Sequence, residues 1–327
     1  MDKKQTYQEF LEERHGKHQV SDSLLSMIVK KATGQIIKTK SRLIKGENSE
    51  VYDIETDKDT KIIVRIARNE WSGFDSEEWA LNQCRSLDIP IPKTLFVGEI
   101  SQEKESVRVS VQNKLPGIPL NEIEGKDENF KKKIIVQAGD ILNKIHTIKV
   151  EKFGSLDDKG NGSFSIYREY MEDRAKNVPR LINLEVKTDI SGKDISQALE
   201  IIKNNDSWFD DVTQSILLHN DFSPKHLLVD EDKITGLIDF ETVQGGDPLQ
   251  EFARWNYYYG EEFPLEWLVE GYGESDLLDN DFESKIHFLR LHFCLNVIDY
   301  YEMTENYPGL AHAKQELEKD LKYFTGR

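Results

Sequence analysis

Between Leu218 and Asp247 the chain gathers two histidines and several acids at spacings that suit phosphoryl transfer. The run His219-Asn220-Asp221-Phe222-Ser223-Pro224-Lys225-His226 reads as a short polar loop entering an apolar strand at 227–229. The turn Asp230-Glu231-Asp232-Lys233 then leads into a second strand, 234–238, which ends on Asp239. A loop and hairpin of this size predict Asp221, His226 and Asp239 at the same end of two strands. Phosphoryl transfer asks a protein mainly for positioning and charge neutralisation, with one carboxylate to orient the attacking hydroxyl and others to hold the metal on the nucleotide. Asp221 suits the first role. Asp239, a hard oxygen donor at a strand end, suits the second. A buried hairpin with solvated turn acids is the plainer account of the same residues.

The surrounding elements set the frame for these groups. Residues 6–14 and 21–32 read as two short helices, the second with Ser21 as N-cap. From residue 36 the pattern changes to short β-branched runs at 36–44, 51–55 and 62–66, separated by polar turns, which predicts an antiparallel meander. Helical spacing returns over 74–87 and stops before Pro90 and Pro92. Strands at 95–98 and 107–111 complete a sheet of about five. Leu115-Pro116-Gly117-Ile118-Pro119 is the best boundary. Beyond it the chain reads as mainly helical, at 130–146 and around 249–260, 264–272 and 282–304.

The ordered set of motifs resembles the aminoglycoside phosphotransferase and choline kinase family, the small-molecule branch of the kinase fold. That family's loop reads His, a variable residue, Asp, four variable residues, then Asn. A strand ending in Ile-Asp-Phe or Ile-Asp-Trp and a Gly-Asp-Pro follow. Here the match covers His219, Asp221, Ile238-Asp239-Phe240 and Gly246-Asp247-Pro248. His226 stands where the family has its metal-binding Asn, so the resemblance makes His226 and Asp239 the metal ligands and Asp221 the catalytic acid. It implies an α+β, bilobal protein-kinase-like fold. Residues 1–114 would form a small nucleotide-binding lobe built on an antiparallel sheet, and 115–327 a larger helical lobe for catalysis and acceptor binding. The implied donor is ATP or GTP with Mg²⁺, and Mn²⁺ is the alternative metal. Asp247 is expected to cap the following helix.

On the nucleotide side, Gly46-Glu47-Asn48-Ser49 sits between the first two strands. In the resembling family this hairpin covers the phosphates with backbone N–H groups, which makes Ser49 a nucleotide-binding candidate. Arg65 lies inside the apolar strand Ile62-Ile63-Val64-Arg65-Ile66, and a buried charge needs a partner. The family has Lys there, gripping phosphates and pairing with a helix Glu. Arg keeps the charge with a planar, bidentate head. The matching acid is Glu77, with Glu78 as the alternative. Asn113 falls where the family's interlobe hinge meets the base. Ser223 is placed to bond the γ-phosphate or the catalytic acid, and His219 to hold the loop.

The chain has 327 residues with a net charge of −17, from 60 acidic and 43 basic side chains. Such a balance disfavours nucleic acid and anionic membrane as partners and attracts cations. No apolar stretch is long enough to span a bilayer. The N-terminus lacks a secretory signal and the two cysteines suggest neither a disulfide framework nor a zinc site, so the expected location is cytoplasmic. The acidic balance favours a cationic acceptor, an aminoglycoside-type antibiotic first, with macrolides, choline-like amines and other metabolites open. Candidate acceptor-binding acids are Glu169, Glu172, Asp173, Glu251, Glu261, Glu262 and Asp299. Two readings of other classes stand beside this one: a nucleotide-binding pseudokinase, and a metal-dependent phosphohydrolase built on His219, Asp221, His226 and Asp239.

Overall fold

The computed structural model describes residues 19–44, 49–68, 72–102, 105–183, 189–273 and 275–326. In chain order these form α1 (Asp22–Thr33), β1 (Ile37–Leu43), β2 (Ser49–Thr56), β3 (Lys61–Ala67), α2 (Phe74–Cys84), β4 (Thr94–Gln102), β5 (Glu105–Asn113) and β6 (Ile118–Pro119). There follow α3 (Glu128–Ile145), β7 (Gly154–Ser155), α4 (Tyr167–Ala175), α5 (Gly192–Asn204), α6 (Trp208–Asp211) and β8 (Ile216–Leu218). The chain ends with β9 (Leu227–Asp230), β10 (Lys233–Leu237), β11 (Gln244–Gly246), α7 (Leu249–Tyr259), α8 (Leu265–Tyr272), α9 (Phe282–Met303) and α10 (Tyr307–Thr325). The helix expected at 6–14 and the turn residues Gly46-Glu47-Asn48 lie outside the described residues.

The chain divides into two compact units, the first comprising Met1–Leu120, His226–Asp230 and Ile234–Glu241. Its centre is a five-stranded sheet in the order β1-β2-β3-β5-β4, with every pairing antiparallel. β3 is therefore a central strand. Its Ile62, Val64 and Ile66 are buried, and they join Leu24, Leu25 and Ile28 of α1 in one core. Ser21 caps α1 by accepting the Leu24 N–H at 3.2 Å. Gly34, at φ +73°, ends the helix in a conformation that glycine adopts without strain. The hairpin β9–β10 also belongs to this unit, where Ile118 and Pro119 of β6 pair with Val229 and Leu228.

The second unit comprises Asn121–Lys225, Glu231–Lys233 and Thr242–Arg327. A small sheet, β7-β11-β8, lies within a largely helical structure. The sequence pattern indicated α3, α7, α8 and α9 but not α4, α5 or α10. Leu291 and Leu295 of α9 pack with Leu317 of α10 and Ile195 of α5. Arg290 ties α9 to α10 through Asp320 (2.9 Å) and Glu316 (2.6 Å). Cys84 in the first unit and Cys294 in the second are both buried, and burial pushes the Cys84 thiol up to about 12 and the Cys294 thiol further. Among the described residues no helix is long and apolar enough to cross a membrane.

The α3–α8 crossing is unusually close and depends on two glycines. A Cβ on Gly139 would lie 2.2 Å from the Leu268 carbonyl oxygen, and one on Gly271 would lie 1.8 Å from that of Val136. Neither obstacle is a flexible side-chain end, so the helices themselves must separate. Gly139→Ala and Gly271→Ala are each expected to cost about 1–3 kcal/mol, the range for overpacking. The double variant should cost less than the sum, because one separation relieves both clashes. Urea denaturation of the four proteins measures this, and strict additivity would mean the two glycines act at independent contacts.

Candidate functional site

Within the first unit, Arg65 projects from β3 into a group of carboxylates. Its register neighbours are Val51 on β2 and Ser110 on β5, so no edge of the sheet offers it solvent. The residue is 8% exposed. One terminal nitrogen, Nη1, donates to both oxygens of Glu77, at 2.6 and 2.8 Å. Nη2 donates to Asp239 Oδ1 at 3.0 Å and also to Glu241 Oε2. The acid that meets Arg65 is thus Glu77, in the first turn of α2, and not Glu78. The guanidinium also lies over the Phe74 ring, 5.1 Å from its centroid.

Three carboxylates share this one guanidinium, and the imbalance shows in their acidity. Burial pushes Glu77 and Glu241 above the usual carboxylate range, against the opposing pull of Arg65. Burial also works against the charge on Arg65, but Glu77, Asp239 and Glu241 outweigh it and hold the guanidinium above its ordinary value. The site therefore carries surplus negative charge, the condition that favours a bound cation. Glu241 reaches the cluster because Gly73 lets the chain pass: a Cβ there would lie 1.8 Å from the Glu241 carbonyl oxygen.

Asp239 stands at the outlet of the hairpin with φ +70°, a left-handed conformation that Asp tolerates better than most residues. Its side chain is 40% exposed, and Oδ2 lies 3.1 Å from Nε2 of the buried His226. Adjacent ligands of an octahedral magnesium ion are separated by about 3 Å, from metal–ligand distances near 2.1 Å. His226 Nε2 and Asp239 Oδ2 therefore fit two neighbouring positions of such an ion. Ser49, 7% exposed, begins β2, and its Oγ has no hydrogen-bond partner among the described residues. Asn113 ends β5 with its side-chain oxygen accepting the Lys93 N–H at 2.5 Å.

In the second unit, β8 delivers the chain into the His219–Lys225 loop. His219 is fully buried, and its Nδ1 accepts the Asp221 N–H at 3.3 Å. Asn220, at φ +62°, is held at each of its polar groups. Its N–H donates to Glu251, its side-chain amide donates to the Thr242 carbonyl at 3.0 Å, and Arg254 donates to both of its oxygens. Behind Glu251 lie His146, with Nε2 at 3.5 Å from the carboxylate, and Tyr272, whose hydroxyl is 3.0 Å from His146 Nδ1. Asp221 itself is flanked by Lys225 at 3.1 Å and Arg254 at 3.9 Å. Ser223 is buried and hydrogen-bonded to Tyr259.

Residues 41–281 match the phosphotransferase enzyme family. The chain belongs to that family. Among curated proteins it is similar to hygromycin-B 4-O-kinase of Escherichia coli, 24% identical over 184 residues, which is 56% of this chain. The chain thus matches about half the length of that relative, 52%. Among solved structures it resembles the aminoglycoside phosphotransferase APH(4)-Ia in ternary complex with AMP-PNP and hygromycin B. The TM-score is 0.75 at 19% identity, over 94% of this chain and 100% of that one. It also resembles the GDP complex of aminoglycoside 2′-phosphotransferase-IIIa (TM-score 0.66, 15% identity, 94% and 99% covered) and the gentamicin complex of APH(2″)-IIa (0.64, 18%, 92% and 97%). These likenesses establish the α+β, kinase-like fold expected from the motifs.

The acids considered for acceptor binding are not equivalent. Glu251 is buried at 3% exposure and supports the loop. Glu172, Asp173, Glu261, Glu262 and Asp299 each lie beside a basic partner. Glu169 is exposed on α4. Arg254 went unnoticed in the sequence; its place one helical turn after Glu251 on α7 was the available signal.

Asp247 of the Gly-Asp-Pro motif accepts the Leu249 N–H at 3.0 Å at the start of α7. Burial pushes its carboxyl up to about 6 from an ordinary 3.8. A raised carboxyl favours the folded state only while protonated. Its cost therefore grows as pH rises from about 4 to 6 and is complete above that. Asp247→Asn keeps an acceptor for Leu249 and removes the charge. It should stabilise the protein by about 2–3 kcal/mol at pH 8 and by little at pH 4. Denaturation at the two pH values tests this; equal effects at both would remove the charge as the cause.

Proposed function

We propose that the protein transfers the γ-phosphoryl group of ATP or GTP to a hydroxyl of an aminoglycoside, hygromycin B being the first acceptor to test. The observation that supports this best is the Arg65–Glu77 pair joined to Asp239, which has a second oxygen beside His226. In this reading residues 1–114 bind the nucleotide, with Arg65 on its phosphates, Glu77 orienting Arg65, and Ser49, Asn113 and Ser223 contributing further contacts. Residues 115–327 supply catalysis and acceptor binding. His226 and Asp239 hold magnesium, whose charge offsets that of the phosphates.

Asp221 aligns the acceptor hydroxyl. The hydroxyl oxygen forms a bond to the γ-phosphorus, the bond from that phosphorus to the β–γ bridging oxygen breaks, and the nucleoside diphosphate leaves. The hydroxyl proton passes to Asp221 and then to water. The acidic surface favours approach of a polycationic acceptor, and dependence on a nucleoside triphosphate accords with a cytoplasmic setting.

Two measurements test these assignments. Asp221→Asn should lower kcat with hygromycin B by about 10²-fold or more while retaining the nucleotide-induced melting shift. Near-native kcat in that variant would end the assignment. An imidazole nitrogen suits manganese relatively better than an asparagine oxygen does. Replacing His226 by Asn should therefore lower the ratio of manganese-supported to magnesium-supported turnover, and an unchanged ratio would remove His226 from the metal.

A further inference from the structure

We propose that the second unit carries a separate ligand site, a cavity lined by Tyr167, Trp208, Phe209, Phe288 and Asp247, for a compact aromatic or alicyclic molecule bearing one ammonium group. The cavity has a volume of about 350 Å³. An apolar cavity of about 150 Å³ already accepts benzene, so this one has room for a bicyclic body. Its walls come from α4, α6, the start of α7 and α9, with Leu249 and Leu289 adding aliphatic surface.

The polar groups at the cavity have a definite sign. Asp247 is 7% exposed, and its carboxylate accepts the Leu249 backbone N–H. Lys285 also lines the cavity and its charge acts on Asp247, but its ammonium is paired with Asp279 at 2.7 Å, so the acids at the cavity still outnumber the bases. Asp211 adds a second acid beside the exposed Thr213 and Gln214. Tyr167 Oη, in a residue 1% exposed, has no hydrogen-bond partner among the described residues, and Asp247 is the foremost charge acting on it. A buried carboxylate among aromatic rings is costly alone and is relieved by an organic cation, which the ring faces also attract.

The site is distinct from the loop that carries Asp221. Ile216, in the cavity wall, opens β8, and Leu218 closes that strand before the loop begins. Gly246, next to Asp247, pairs with Ile216 at the same far end. A hydroxyl-rich polycation has no match in these apolar walls, so the ligand belongs to a chemical class different from that of the proposed acceptor.

Calorimetric titration of the full chain at pH 8 with tryptamine, and with its neutral analogue tryptophol, tests the proposal. Tryptamine should bind saturably at one site and at least about tenfold more tightly than tryptophol. Asp247→Asn should abolish that preference. Leu289→Trp, which fills the cavity, should weaken tryptamine at least about tenfold while the protein still melts cooperatively. If Leu289→Trp does not fold, Thr213→Trp at the exposed rim must give the same loss. Absence of tryptamine binding, equal binding of the two probes to the native protein, or native affinity in the folded tryptophan variant would overturn the proposal. Competitive displacement of tryptamine by hygromycin B would also overturn it, by placing the probe in the acceptor's site.

Discussion

A guanidinium buried on a central strand cannot stand alone, and the first unit is arranged around satisfying it. Breaking a buried ion pair by removing one partner typically costs about 3–5 kcal/mol, so Arg65 constrains whatever it touches. It fixes the first turn of α2 through Glu77, and it holds the outlet of the β9–β10 hairpin through Asp239 and Glu241. These elements are far apart in sequence, and the end of β10 is tied to the segment after α2 by the Leu237 N–H donating to the Pro90 carbonyl at 2.7 Å. Gly73 allows their close approach, and Arg65 sets its direction. The same contacts leave one Asp239 oxygen turned to His226, so charge satisfaction in the fold also sets the edge proposed for the metal.

The loop in the second unit is governed by backbone groups more than by packing. A non-glycine residue in the left-handed region needs support, and Asn220 receives it at both ends of its peptide and on its side chain. Glu251 and Arg254, one turn apart on α7, grip it from the same helix. The position of Asp221 is in this way set by α7, whose first N–H, that of Leu249, is accepted by Asp247. The Gly-Asp-Pro motif and the loop that carries Asp221 are linked mechanically, whatever the motif contributes to chemistry.

The strands of the first unit and the loop–hairpin run were legible because each carries a local signal: β-branched runs between polar turns, and acids at strand ends. Arg65 was legible by its oddity in an apolar strand, and its pairing with a glutamate of the next helix, Glu77 or Glu78, was implied by the family resemblance. The ion pair of Glu241 with Arg65 was not, because it depends on the close pass at Gly73, a tertiary fact. Glu251 was grouped with the acceptor-binding acids because burial leaves no local trace in a helix that mixes charged and aromatic residues. Helices α4, α5 and α10 were also missed. α4 is predominantly polar, so it lacks an apolar stripe, whereas α5 does carry local signals, Ser191 as N-cap and Ile195, Ala198, Leu199 and Ile202 at helical spacing, and its partners on α9 and α10 are what the sequence leaves out.

The two native thiols have a practical consequence. The thiolate is the reactive form, and both cysteines are buried with their ionisation suppressed. The folded protein should be nearly inert to maleimides without removal of either native cysteine. One engineered surface cysteine would then accept a fluorophore or spin label alone, which makes site-specific labelling of either unit possible in the otherwise native chain.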